Sequence, residues 1–512
     1  MNANAHDPCA APPDDAFETA RLDNLHPRNW RNPDPAAEYA LLIIGGGPAG
    51  LAAAREACAL GFKVALVESR LLGGTNLNDG GVPSIAIIRS ARVIAQMRHA
   101  DRYGDCPPDP VPVDFPSIMR RMRKLRAHLS CRDSVRQLST LGIDVFFGQA
   151  RFTGPRQAEV DGRVLRFRKA LIATGARPSV PQIPGLAETG YDTYRTIFNR
   201  EQLPSKLLVI GGGPNGCELA QAFCRFGVRT TIVQDMPLFL PGEERDAAQI
   251  LSDAFARDGI EVRLNTTALA ARRLPDGRKQ VDLVSADYRS QVEVDAIFTG
   301  IGHLPNVENL GLDAAGVEHT AGHDGGIGVD DFLATSNPDI YAAGDVCLPH
   351  KYEHAAVASA RLAARNALLA GRQRNSALVV PWCTFTDPQI AHVGLYVREA
   401  NRMDIPVKTF TVPMHQVPRS CMDGELEGFV KIHVREGSDR ILGATIVAHD
   451  AGDMLNEITL AMVSGIGLRR LSRVIHTYPT QSEAIRRAAD AYNLTRYTPR
   501  LKARLERWQS RQ

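Results

Sequence analysis

The 512-residue sequence has no C-x-x-C pair: its nine cysteines are scattered, without the spacing of a metal site. They read as small apolar core residues in a reducing compartment, which predicts a cytoplasmic protein. Also missing is any uninterrupted apolar run approaching the roughly 18–20 residues that a membrane span needs. The N-terminal stretch, Met1 to Ala40, is rich in Pro, Asp and Asn and has no apolar segment behind a basic start, so it reads as an ordered or frayed arm rather than a secretory signal. There is little surplus of one charge. Sixty Lys and Arg against 57 Asp and Glu leave +3, and nothing in that balance recommends nucleic acid as a partner.

What is present is an ordinary globular composition, 44% hydrophobic and 23% charged, with 43 Gly and 32 Pro for turns. Single cores stop growing near about 250–300 residues, so about three domains are expected. An internal repeat organises them. Leu41 to Glu68 reads LLIIGGGPAGLAAAREACALGFKVALVE and Leu207 to Gln234 reads LLVIGGGPNGCELAQAFCRFGVRTTIVQ, aligned without a gap. Each has an apolar strand, a G-x-G-x-x-G turn, a helix-period stretch and a second apolar strand, which predicts a β-α-β dinucleotide-binding unit. Gly45 and Gly211 permit the tight turn, Gly47 and Gly213 let the backbone approach a pyrophosphate, and Gly50 and Gly216 allow close helix packing. Glu68 closes the first unit where a carboxylate accepts from an adenosine ribose hydroxyl, and Gln234 takes that place in the second.

With ATGARP at Ala173 to Pro178, GIGHLPN at Gly300 to Asn306, IYAAGDV at Ile340 to Val346, FTDPQIAHVG at Phe385 to Gly394 and HTYPTQSEA at His476 to Ala484, this ordered series resembles the pyridine nucleotide-disulfide oxidoreductases. That flavoprotein family includes dihydrolipoamide dehydrogenase, glutathione reductase, mercuric reductase and soluble transhydrogenase. The resemblance implies an α/β protein with two Rossmann-like three-layer nucleotide-binding domains and a C-terminal α+β interface domain. The implied order is an arm (1–38), a first FAD-binding part (39–181), an NAD(P)-binding domain (182–304), a second FAD-binding part (305–376), an interface domain (377–490) and a basic tail (491–512). It assigns Asp345 to the FAD ribityl chain, and Gly74, Thr75, Thr174, Gly175, Gly302 and His354 to cofactor contacts. His354 opens a helix expected over 354–366, where a surface or capping role is the ordinary reading.

One motif departs from the family. Its first helix reads GGTC-LNVGC-VPSK, with two redox cysteines and a lysine near the flavin; here the segment is GGTNLNDGGVPSI, with Asn76, Gly81 and Ile85 at those positions. Two side chains without sulfur cannot form a disulfide. The family's catalytic His before the C-terminal Pro is Tyr478, a poor base near neutral pH but a usable donor or general acid. Glu483 keeps the place of the orienting Glu. Glu218 matches the Glu that pairs with the family lysine, and so loses that partner. The expected protein is a homodimeric, FAD-dependent NAD(P)H oxidoreductase, with catalytic residues Tyr478, Glu483, Asn76 and Glu218 and a quinone-like compound, an activated alkene or another nucleotide as acceptor. A dehydrogenase of a small organic substrate and an inert flavin-binding scaffold are the alternatives. No resident metal is expected. NADH is favoured over NADPH, the alternative, because Asp235 would repel a 2′-phosphate and the first arginine after the strand is Arg245. In the tail, Leu501, Leu505 and Trp508 share one helical face; packing on the chain itself is the ordinary reading, and docking on a membrane surface or partner the other.

Overall fold

The computed structural model describes residues 15–510 apart from 107, 287, 323, 324 and 370; the start of the expected arm, 1–14, lies outside the described residues. The chain forms two compact units. One comprises the chain up to Val93, Pro112–Val228 and Thr267–Leu378, the other Ile94–Val111, Arg229–Thr266 and the chain from Val379.

The first unit begins with helix α1 (Ala16–Leu25), capped by Asp15, whose carboxylate accepts from Phe17 N at 2.9 Å and Glu18 N at 3.2 Å. Then come β1 (Tyr39–Ile44), α2 (Pro48–Ala59), β2 (Val64–Glu68), the short α3 (Gly74–Asn78) and α4 (Gly81–Arg98), followed by α5 (Phe115–Ser130). Strands β3 (Asp144–Phe147), β4 (Arg151–Gly154), β5 (Gln157–Val160) and β6 (Arg163–Ile172) complete a sheet ordered β3-β2-β1-β6-β5-β4, with Ile340–Ala342 added parallel beside β6. The β3-β2-β1-β6 half is parallel, and β1 and β2 are apolar almost throughout because both faces are covered, one by helices and the other by β4, β5 and the segment from Val307 to Ile327. Alanines carry the closest helix contact: Ala53, Ala54 and Ala57 of α2 and Ala360, Ala363 and Ala364 of helix Glu353–Leu368 share one core. The second repeat contributes strand Lys206–Ile210, parallel to Ala296–Thr299, and helix Pro214–Arg225.

The second unit holds a five-stranded antiparallel sheet in the order Pro381–Thr384, Gln389–Gly394, Ile441–Ala448, Phe429–Arg435, Val407–Pro413. Helices Ala451–Val463 and Glu483–Leu494 bury Leu455, Ile458, Ile485 and Ala488 in the same core as its Val430, Ile432 and Ile446. The tail forms helix Pro499–Gln509, but none of its residues is buried and Trp508 is 58% exposed. Packing on the chain itself, the ordinary expectation for that helix, is therefore not what the structure shows: its apolar side is too short and too interrupted by Arg and Lys to compete with solvent.

Candidate functional site

The two fingerprint turns separate packing from ligand binding. Gly45 has φ +112°, and a Cβ there would stand 2.2 Å from the Ala173 carbonyl oxygen; a Cβ at Gly50 would stand 1.8 Å from that of Gly45. In the second turn a Cβ at Gly211, φ +104°, would stand 2.7 Å from Gly300 O, and one at Gly216 2.1 Å from Gly211 O. The fold itself therefore requires the first and third glycines. The middle ones are different. Gly47 and Gly213 have extended backbones that any residue adopts, and a Cβ would find nothing nearer than 3.7 Å and 3.9 Å. Neither conformation nor close packing requires glycine at these two positions, each the N-cap of a helix, where the bare backbone leaves room for a pyrophosphate.

Around the first turn the other expected residues assemble. Glu68, buried at the end of β2, accepts from Gly46 N and Arg70 N, each at 2.7 Å. Burial raises its pKa, opposed chiefly by those backbone donors. Each oxygen keeps a lone pair for a ribose hydroxyl. Gly74 packs so closely on Gly47 that a Cβ would stand 2.7 Å from its Cα. Thr174 donates to Asn306 O at 2.7 Å, and Asn306 returns a bond to Thr174 O at 2.8 Å, tying ATGARP to the segment that follows Gly302. Gly175 and Gly302 supply positive φ of +66° and +110°. Burial pushes the Asp345 carboxyl up to about 6, with the Lys351 ammonium pulling it back. A carboxylate so placed gains from a hydroxyl donor, as a ribityl chain would provide. Two residues on, burial pushes the Cys347 thiol up to about 12, so it is no substitute thiolate.

The two departing positions meet in space. A Cβ at Gly81 would lie 2.3 Å from Asn76 Oδ1, so the two positions are side by side. The Asn76 amide lies where a side chain at Gly81 would stand. The Glu353 carboxyl near it is pushed up by desolvation, with Arg132 the largest opposing influence. Helix Glu353–Leu368 starts one residue before the expected 354, and His354 is exposed and stacks on Tyr352 with ring centroids 5.6 Å apart.

Sequence reasoning missed what holds this loop. Arg126 Nη2 bonds Glu18 at 2.5 Å and its Nη1 bonds Asn78 O at 2.8 Å, while Arg21 bonds both Glu18, at 2.7 Å, and Asn78 Oδ1, at 2.5 Å. The arm helix α1 thus clamps α3 against α5 through a buried charged network. Burial works to raise the Glu18 pKa, but Arg126 and Arg21 outweigh it and hold the carboxyl low. Asp79, where the family pattern has Val, was the readable signal for a second group: its carboxyl is raised by burial despite Arg70, Arg195, Arg126 and Arg21. Beside it Tyr194, its hydroxyl buried without a partner among the described residues, packs on His303 with ring centroids 5.2 Å apart.

In the second turn, Glu218 is buried on helix Pro214–Arg225. In the other unit, Gln234 follows strand Arg229–Val233, and its side-chain amide donates to Asp235 at 3.4 Å. Tyr478 is 67% exposed. Glu483 is buried at the start of its helix; Arg486 and Arg487 share its Oε1, each at 3.1 Å. Its Oε2 and the neighbouring Gln481 Oε1 are buried without a donor among the described residues. His476 is engaged with Glu457 at 2.9 Å and is not a free base.

Two glycine-rich turns, each opening a helix, with the buried carboxylates of Glu68 and Asp345 in the same unit as both, are the parts that a two-dinucleotide scaffold requires. Comparison with known proteins gives the family. The profile described as pyridine nucleotide-disulphide oxidoreductase matches residues 39–361, and that of the family's dimerisation domain residues 380–489. A dihydrolipoyl dehydrogenase of Thermus scotoductus is 35% identical over 88% of this chain and 97% of its own, and a mercuric reductase of Shigella flexneri 34% identical over 92% and 84%. Among solved structures, the HOCl-induced flavoprotein disulfide reductase RclA of Escherichia coli superposes with a TM-score of 0.78 at 28% identity, covering 88% of this chain and 99% of that one. LpdA of Mycobacterium tuberculosis superposes with a TM-score of 0.80 at 27% identity, covering 89% and 100%. The chain belongs to the pyridine nucleotide-disulphide oxidoreductase family, whose cofactors are FAD and NAD(P)H. No helix among the described residues is long and apolar enough to cross a membrane.

Proposed function

We propose that the chain is an FAD-dependent NAD(P)H oxidoreductase that delivers hydride to a non-disulfide acceptor: a quinone-like compound, an activated alkene or a second nucleotide. The observation that carries this reading is the pair Asn76 and Gly81, which keep the close approach a disulfide would need while offering an amide and no sulfur. Bound FAD supplies the two-electron relay from the nicotinamide. The chain's own groups do the rest. Gly47 and Gly213 admit the pyrophosphates, Glu68 and Asp345 accept from cofactor hydroxyls, and Asn76 presents an amide where family members present a thiol.

Gln234 and Asp235 favour NADH, since a 2′-phosphate would meet a carboxylate and no nearby arginine. The dimerisation domain supports a homodimer, in which the partner subunit's Tyr478 donates to the developing negative charge on the acceptor. Buried acceptors at Gln481 and Glu483 support completion of that segment by a donor from outside the described chain. The free, scattered cysteines support a cytoplasmic setting.

Anaerobic titration tests the core of the proposal: one two-electron equivalent of NADH per FAD is expected to complete reduction, and a requirement for two reveals a second redox centre. Stopped-flow kinetics of Tyr478→Phe test the acceptor side. Loss of one oxyanion donor predicts roughly a hundredfold slower acceptor half-reaction, with the NADH half-reaction unchanged. An unchanged acceptor rate places the acceptor elsewhere.

A further inference from the structure

Three groups in the second unit meet for a reason that neither hydride transfer nor dinucleotide binding uses. Asp387 stands just before strand Gln389–Gly394, His449 just after strand Ile441–Ala448, and Glu425 a few residues before strand Phe429–Arg435. The middle strand of the three, Ile441–Ala448, pairs with both others: Gln389 is opposite Ala448, and Phe429 opposite Val447. The antiparallel sheet therefore brings three loop residues, far apart in sequence, to one end of three adjacent strands. Their ligand atoms all lie within 4.8 Å of one another.

The spacing suits a shared cation. His449 Nδ1 is 3.4 Å from Glu425 Oε1 and 3.6 Å from Asp387 Oδ1. Both agree with the edge of a tetrahedron, about 3.4 Å, around an ion holding nitrogen and oxygen at about 2.1 Å. With a neutral imidazole the cluster carries two negative charges, and the chain adds a third nearby: Asp423, whose carbonyl accepts from Tyr103 Oη at 2.9 Å. The Tyr103 hydroxyl is held above its ordinary pKa by burial and then by the charges of Glu425, Asp423 and Asp387. Arg419 pairs with Asp423 at 2.6 Å, so that cation is already engaged beside the cluster.

We infer that Asp387, Glu425 and His449 form a divalent-cation site, separate from the dinucleotide turns, suited to Zn(II). One imidazole with two carboxylates matches zinc's mixed nitrogen and oxygen preference, whereas Ca(II) and Mg(II) call for oxygen ligands alone. Three protein ligands leave a fourth position to water. The side chains are half-buried, open enough for an ion to enter and closed enough to hold it. Its role is that of a clip. An ion there joins three loops at that end of the sheet, and because only the folded chain brings them together, binding stabilises the folded state.

The test uses full-length, untagged, FAD-loaded protein stripped with chelator and titrated with zinc alone, with cobalt as a spectroscopic probe and magnesium as a control. One zinc per chain is expected, with a rise in melting temperature that magnesium does not reproduce. Cobalt is expected to give ligand-field bands of tetrahedral intensity without thiolate charge transfer. His449→Ala and, separately, Glu425→Gln are expected to weaken zinc binding at least a hundredfold, beyond the tenfold to hundredfold typical of lost second-shell partners, while retaining FAD. Retained FAD shows that the fold survives, and the two independent variants guard against a local collapse in one. Thiolate charge transfer, unchanged affinity in both variants, or no zinc bound at micromolar concentration overturns the inference.

Discussion

Replacing Gly47 and Gly50 separately with alanine asks whether the fingerprint is a binding device or merely a tight turn. At Gly50 the new methyl would stand 1.8 Å from the carbonyl oxygen of Gly45, far inside contact distance and against backbone that cannot rotate away. Such overpacking costs about 1–3 kcal/mol or more, so Gly50→Ala is expected to melt several degrees lower even when measured without cofactor. At Gly47 the methyl has 3.7 Å of clearance and an allowed backbone, so the cofactor-free stability should stay within about 0.5 kcal/mol of wild type. It does stand where a pyrophosphate must lie. Losing one charge-assisted bond of about 1.5–3 kcal/mol weakens FAD binding roughly tenfold to a hundredfold. The same contrast holds in the second turn: Gly213→Ala should keep FAD and stability while raising the dissociation constant for NADH, and Gly216→Ala should lower stability. Thermal denaturation of the apoproteins and FAD titration by fluorescence quenching read both quantities. A Gly47→Ala protein that binds FAD as wild type does, or one that loses stability as Gly50→Ala does, refutes the assignment.

Other expectations follow from the same geometry. With its carboxyl at about 6 and a cofactor hydroxyl favouring the ionised form, Asp345 makes FAD binding about tenfold weaker at pH 5 than at pH 7, and Asp345→Asn removes that dependence; an equal slope in the variant assigns it to another group. In the apoprotein the sign is opposite, because a pKa raised above its unfolded value of 3.8 makes Asp345 cost stability as pH climbs from about 4 through 6. Introducing Asn76→Cys with Gly81→Cys should give a disulfide, seen as two thiols that react only after reduction; two freely reactive thiols would show that the positions are not adjacent. Arg126→Ala leaves Glu18 buried with one partner fewer, at a cost of about 3–5 kcal/mol, and should release FAD at lower temperature because Asn78 loses its clamp.

Much of the fold was legible because its signals are local and repeated. A gapless pair of β-α-β patterns leaves few other structures for Leu41 to Glu68, and the parallel β1 and β2 lie where the apolar runs stand. The glycine roles were legible for the same reason, since a close approach leaves no residue but glycine. Contacts between distant segments were not. No period or motif in Ala16–Leu25 announces that Glu18 and Arg21 reach Asn78 and Arg126, and an amphipathic tail says nothing of whether a surface waits to receive it.

The departure at Asn76 and Gly81 shows why motif reading and geometry are both needed. The sequence shows the loss of two sulfurs, and the structure shows that Asn76 turns its amide over Gly81. The change of one residue is therefore compensated by the other: a side chain at 81 would collide with Oδ1 of Asn76, so Gly81 is what allows Asn76 to lie there. The same loop replaces the family's Val with Asp79, whose charge is offset by arginines from four segments, Arg21, Arg70, Arg126 and Arg195. A polar loop held by buried charge in place of a thiol pair is the arrangement expected of a scaffold that keeps its dinucleotide chemistry while changing what receives the hydride.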